Sequence, residues 1–248
     1  MTHDAYQPRR KSIRFANGRT AQLLESVATA SAQSVVDWLE LPSARFSIVL
    51  HGGAGDMSES YYKKLMLLLR DSLVRFAEDN RALVADGGTD TGLVQVMGEA
   101  YLAAKATFSL VGVVVSDAVT YPGGPPPGPD RWALNPMHTH FVIVNADDFG
   151  FESHLLAGLA HIGGNPGVAL AVNGGAITRS EIELHARMGT PVIVLKGTGR
   201  YADDLANAPE ASLFRAPFNM SSTRLEIFDI NAHPSEKLYH LIRSVLLS

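Results

Sequence analysis

Cysteine is absent from all 248 residues. That absence excludes disulfide scaffolds, thiolate zinc centres, iron–sulfur clusters and cysteine nucleophiles. Basic charge is also scarce. Lys and Arg number 21 against 25 Asp and Glu, a formal charge of −4, which argues against a nucleic-acid binder working through a basic surface. Long apolar runs are missing too: the aliphatic stretches Leu65–Leu69 and Leu110–Val115 are far too short to cross a bilayer. The opening MTHDAYQPRRKSIRF is polar and basic with no apolar h-region, so no signal peptide and a cytoplasmic location are expected. An anion bound by such a chain must be held by backbone groups and one or two local cations.

What the chain does have is glycine, 22 residues of it, set in a regular rhythm. From Phe46 onward SIVLHGG, RALVADGG, FSLVGVVVSD, HTHFVIVNA, GVALAVNGG and PVIVLKG read as strands. Helices are expected over 58–80 with Ser58 as N-cap, over 91–105, over 151–162 and over 180–188. Apolar strands without alternation, spaced by helix lengths, predict parallel strands covered on both faces. The fold class is therefore α/β, a Rossmann-like doubly wound, mostly parallel sheet with helices on both faces. KSIRF and TAQLLES around Asn17-Gly18 predict a small N-terminal β hairpin as a prelude, and a helix over 34–41 stops at Pro42. The tail adds a strand at RLEIFDIN and a helix opened by Pro234-Ser235. One domain over 1–248 is expected: prelude 1–45, core 46–208 and C-terminal strand and helix 209–248. Residues 117–137 hold six of the 13 prolines, so they form either a lid or a disordered connection.

Four βα junctions carry glycine pairs or near-pairs. They comprise Gly52 and Gly53 followed by Ala54; Gly87, Gly88 and Thr89; Gly174 and Gly175; and Gly197, Thr198, Gly199 and Arg200. A single glycine pair is ordinary in a tight turn. In a parallel sheet, however, all four turns fall at the carboxyl edge, where open α/β sheets bind ligands, and together they predict a backbone cradle for phosphate. The P-loop pattern is absent, which disfavours a Walker-type NTPase. Gly197-x-Gly199-x-x-Ala202 fits a dinucleotide fingerprint only weakly: it sits on the last core strand, and no acidic residue is expected at the next strand end. His138 and His140 are expected to share a strand face, with Asp147 and Asp148 at its carboxyl end. An extended chain at ~3.3 Å per residue puts His140 over ~20 Å from Asp147, so no metal site is predicted. Asp147 is instead a candidate partner for a ribose hydroxyl.

Taken in order, HGGAGD, DGGTDTGLVQVMGEA, HTHFVIVNADDFGFE, AVNGGAIT and PVIVLKGTGRYADDLA resemble one family, the SLOG superfamily. The likeness is to its branch at the cytosolic N-terminus of melastatin-type TRP channels (TRPM-like, LSDAT), in a standalone prokaryotic form, and covers roughly residues 12–208. The resemblance implies a Rossmann-like sensor for nucleotide-derived ligands such as ADP-ribose. The groups of the four turns would face the ligand, and Arg200 would be the charge-assisted phosphate partner. The superfamily also includes phosphoribohydrolases of the lonely-guy type, with the signature P-G-G-x-G-T-x-x-E. Residues 173–181 keep its glycine pair Gly174 and Gly175, Thr178 and Glu181, but not its proline or its last glycine. The arginines of the preceding helix are replaced by Leu156 and Gly158. Three readings follow: a binding domain, a nucleotide hydrolase whose Glu181 stabilises a cationic ribose, and a structural interaction domain. In the bland alternative, Glu181 is a first-turn helix acid favoured by the macrodipole. The resemblance implies a small-molecule partner and no required cofactor; the acidic balance and the short apolar runs imply neither nucleic acid nor membrane, and a homo-oligomer is left open.

Overall fold

The computed structural model describes residues 8–27, 29–53, 58–146 and 149–247. In chain order the elements are β1 (Arg9–Arg14), β2 (Thr20–Val27), α1 (Ala32–Leu39), β3 (Phe46–Gly52), α2 (Glu59–Leu69), α3 (Arg75–Asn80), β4 (Ala82–Asp86), α4 (Gly92–Ala103), β5 (Leu110–Val115), β6 (Val119–Thr120), β7 (Trp132–Ala133) and β8 (His140–Asn145). They continue with α5 (Ser153–Gly158), β9 (Gly167–Val172), α6 (Ala176–Met188), β10 (Val192–Lys196), α7 (Arg200–Asn207), α8 (Ala216–Ser221), β11 (Leu225–Asp229) and α9 (Ser235–Leu246). The Ser58 hydroxyl caps α2 by accepting the Tyr61 N–H at 3.3 Å. A π-helical turn over Arg70–Val74 joins α2 to α3, so the helix expected over 58–80 is continuous.

Nine strands form one sheet in the order β1-β2-β8-β5-β4-β3-β9-β10-β11. Among the described residues of this sheet only the β1–β2 pairing is antiparallel. The hairpin predicted as a prelude forms, but β2 runs parallel to β8 with Leu24 opposite Val142, making the hairpin the edge of the main sheet. From β3 the chain steps outward through β4 and β5 to β8, then returns to place β9 on the other side of β3. That reversal is a topological switch point, and it opens a crevice at the carboxyl ends of β3 and β9.

Successive strand residues serve opposite layers, which is why the strands are apolar without alternation. Ile48 and Leu50 pack with Leu65, Phe76, Met97 and Leu238, whereas Val49 between them packs with Val35, Leu39 and Leu155. Residues 117–137 are neither disordered nor detached. The Asp90 N–H donates to Ala133 O at 2.7 Å, the Asn135 N–H to Gly88 O at 2.9 Å, and the Leu134 N–H to Thr120 O at 3.2 Å. The segment is a strap sewn to the second glycine turn, and its only regular structure among the described residues is the short β6–β7 pairing and the end of a 3-10 turn.

His140, at the start of β8, supplies a pH-dependent load. Burial, helped by nearby Arg10, pushes its pKa from 6.5 down to about 4. The unfolded ring takes up a proton near the ordinary value while the native ring resists, so acidification favours the unfolded state across that window. Denaturant titrations should show a stability loss approaching about 3 kcal/mol from this group between pH 7 and pH 4. The slope should flatten in His140→Asn; an unchanged slope would contradict this assignment.

Candidate functional site

A cavity of about 500 Å³ occupies the crevice at the switch point. The first turn contributes Gly52 and Gly53, the second Gly87 and Thr89, and the third Gly175 and Thr178. The start of α6 borders it as well, and the first N–H groups of a helix have no acceptor within it. Ala54 and Asp147 lie outside the described residues.

Gly88 and Gly174 build the turns without lining the cavity. Gly174 has φ +92°, and a Cβ there would lie 2.5 Å from Thr178 Cβ, so only glycine fits beneath that side chain. The fourth turn is also structural. The Thr198 hydroxyl accepts the Asn173 N–H at 2.7 Å and donates to Leu195 O at 2.6 Å, tying the ends of β9 and β10 together. The Tyr201 and Ala202 N–H groups at the start of α7 are taken by Gly174 O and Asn173 O, at 3.3 and 3.0 Å. Gly197, Thr198 and Gly199 are not part of the cavity lining, and Arg200 alone reaches it from this turn.

Arg200 holds a left-handed backbone, φ +50°, a conformation that costs of order 1 kcal/mol or more in a non-glycine residue. Its guanidinium lies between the first and third turns. Nη1 is 3.2 Å from where a Gly53 Cβ would stand and Nη2 is 2.8 Å from that of Gly175, so the two missing side chains make its berth. Among the described residues the Arg200 guanidinium has no hydrogen bond or ion pair.

Behind this cation lies a buried polar cluster that the sequence did not suggest. Helix α6 begins at Ala176, four residues earlier than expected. Glu181 is therefore not a first-turn acid: it sits in the second turn, 7 % exposed, on the cavity wall. The Ser153 hydroxyl donates to its Oε1 at 3.1 Å. His51 Nδ1 is 3.0 Å from its Oε2, at ion-pair distance but off the line of a good hydrogen bond. His51 Nε2 is in turn 2.7 Å from His185 Nε2. Burial, then the neighbouring His51, pushes the His185 pKa well below its ordinary value. A neutral His185 protonated at Nε2 donates to His51 and leaves only an acceptor, Nδ1, unsatisfied; the reverse tautomer would bury an orphaned N–H, the costlier arrangement. That choice places the His51 proton on Nδ1, facing Glu181. Glu152 lines the same cavity; burial raises its pKa, against hydrogen bonds from the backbone N–H groups of Glu152 and Gly150.

Two further expectations change. His138 precedes β8 rather than sharing a strand face with His140; it is 1 % exposed, with Nε2 2.9 Å from Asp86 Oδ1. An acidic residue does close the strand after the Gly197 turn: β11 ends on Asp229, opposite Lys196. Its carboxylate accepts the Asn231 N–H at 2.8 Å, and it does not line the cavity. At the positions where the family resemblance implied arginines, Leu156 is an apolar wall residue and Gly158 lets α5 approach Ala32, whose Cβ is 3.2 Å from the missing Cβ.

A model of the family described as SLOG in TRPM, prokaryote, matches residues 45–239. The chain belongs to that family. This SLOG chain is 23 % identical over 258 residues to a transient receptor potential cation channel subfamily M member-like 2 of Nematostella vectensis, covering 84 % of this chain and 16 % of the channel. It is 24 % identical over 227 residues to subfamily M member 2 of Rattus norvegicus, covering 77 % and 15 %. With subfamily M member 7 of Homo sapiens it shares 28 % identity over 204 residues, covering 68 % and 11 %. It thus spans a small fraction of the length of these curated relatives. The X-ray structure of TM1055, a structural-genomics target, superposes with a TM-score of 0.56 at 21 % identity, covering 81 % of this chain and 99 % of that one, which places the SLOG chain in an α/β fold. No described helix is long and apolar enough to cross a membrane.

Proposed function

We propose that this SLOG chain is a cytoplasmic sensor that binds a nucleotide-derived ligand, of the ADP-ribose or adenine-nucleotide type, in the switch-point cavity. One observation carries the reading: a guanidinium without a partner among the described residues, seated between two glycine turns in a cavity of about 500 Å³. A planar cation suits phosphate oxygens, and the glycines let the ligand approach the backbone. Binding of this kind needs no cofactor and no basic surface. Ala54, through the family resemblance, and Asp147, which follows β8 in the sequence, remain part of the proposed site.

Calorimetry with ADP-ribose, AMP, NAD and cyclic ADP-ribose tests it. At least one should bind, and Arg200→Ala should weaken that binding about 10- to 100-fold, the loss of a charge-assisted contact. No heat with any of the four overturns the ligand class. The placement of Glu181 on the wall favours one second reading, N-glycosidic cleavage through a cationic ribose. Free base appearing in the same mixtures, and not with Glu181→Gln, would select it.

A further inference from the structure

The cavity has an apolar end as well as a cationic one. Trp132, Phe149 and Ile177 all line it, and they are 49 %, 43 % and 47 % exposed. Leaving three large apolar side chains uncovered around one opening is unfavourable in water unless something covers them. Trp132 is also held in place. It opens β7, opposite Val119 of β6, and the residues that follow it are bonded to Asp90, Gly88 and Thr120. Asn135, 2 % exposed, anchors the strap further by donating to Asp90 Oδ1 at 2.9 Å. The backbone that carries the indole is thus held in place rather than awaiting order, so the half-open platform loses little backbone entropy on binding.

The position of this platform sets a polarity. The strap is sewn to the turn after β4, whereas the Arg200 guanidinium lies between the turns after β3 and β9, one to two strand spacings away across the sheet, or roughly 5–10 Å. A ligand with its phosphate at Arg200 has its other end near the strap. We infer that Trp132, with Phe149 beside the same cavity, is the base-recognition end of the site, and that the ligand must carry a planar aromatic heterocycle there. Inorganic phosphate or a bare sugar phosphate satisfies only the Arg200 end. This inference rests on the nucleotide reading above and adds which part of the ligand sets specificity.

Trp132 is one of two tryptophans. Trp38 packs against the core beside α1 and does not line the cavity, so Trp38→Phe leaves Trp132 as the single reporter. In that background AMP should quench or shift the indole emission, with a midpoint equal to the calorimetric one. Trp132→Ala should weaken AMP about tenfold or more, as loss of base stacking does, while Trp132→Phe keeps most of the affinity. Ribose 5-phosphate should bind the parent and Trp132→Ala equally. AMP binding with unchanged emission, or an equal AMP affinity for parent and Trp132→Ala, overturns the inference while leaving the nucleotide reading intact. Absence of heat with AMP and with the larger nucleotides overturns both.

Discussion

Replacing Asp86 by alanine should lower the unfolding free energy by about 2–5 kcal/mol, the usual cost of leaving two buried hydrogen-bond donors without their acceptor. Asp86 is fully buried at the end of β4. Its Oδ1 accepts the Gly88 N–H at 2.8 Å and lies 2.9 Å from His138 Nε2. Alanine strands both donors in an interior that water does not reach. Gly88 is the residue to which the strap is bonded, so the damage reaches the cavity: Asp86→Ala should lose ligand binding along with stability. Asp86→Asn keeps a carbonyl oxygen for both donors and should cost well under half as much. Urea denaturation of the two variants distinguishes the cases, and a loss below about 1 kcal/mol in Asp86→Ala would show that the pair does not hold the turn.

The second large effect lies across the sheet from the first. Gly112 is opposite Asp86 in the β4–β5 register, in the middle of a strand where glycine has no conformational role. A Cβ there would stand 2.6 Å from Gly88 Cα and 2.8 Å from the Phe141 ring. One neighbour is backbone and the other a fully buried aromatic, so neither can move without displacing more of the core. Gly112→Ala should cost about 3 kcal/mol, the upper part of the usual overpacking range. For a chain of this size that lowers the melting temperature by roughly 6–12 °C. Gly128→Ala is the control, because a Cβ there meets nothing within 4 Å. Equal melting temperatures for the two variants would refute the packing argument. Asp86 and Gly112 both act on Gly88, so the double substitution should cost less than the sum.

Both predictions concern residues that the glycine pattern touched without explaining. Asp86 stands next to a glycine pair, and Gly112 falls inside the strand run LVGVVV. Their roles depend on His138 and Phe141, which reach them through the pairing of β5 with β8. The polar cluster is similar: His51 and His185 are 134 positions apart, and no spacing rule connects them. The start of α6 lies four residues before the expected one for a local reason. Gly175 begins α6 without a side-chain cap, so the helix start carried no signal, and the shift moved Glu181 from the first turn to an inward-facing position. The proline-rich segment hid Trp132 in the same way. Composition argues against a helix or a central strand there but says nothing about a short edge pairing or backbone hydrogen bonds to a distant turn.

Local chemistry alone determined much of this protein. Apolar runs of strand length separated by helix lengths required a parallel sheet covered on both faces, and glycine at the strand ends placed tight turns along one edge. Those features depend on neighbours within a few residues, where sterics and periodicity act directly. Only the tertiary structure decided which turns border the cavity, that Arg200 alone reaches it from the fourth, and that histidines, carboxylates and an anchored tryptophan meet there. The reason is the reversal of strand order between β3 and β9: it brings sequence-distant strand ends within a few ångströms, and contacts made across that crossing leave no periodic trace in the chain.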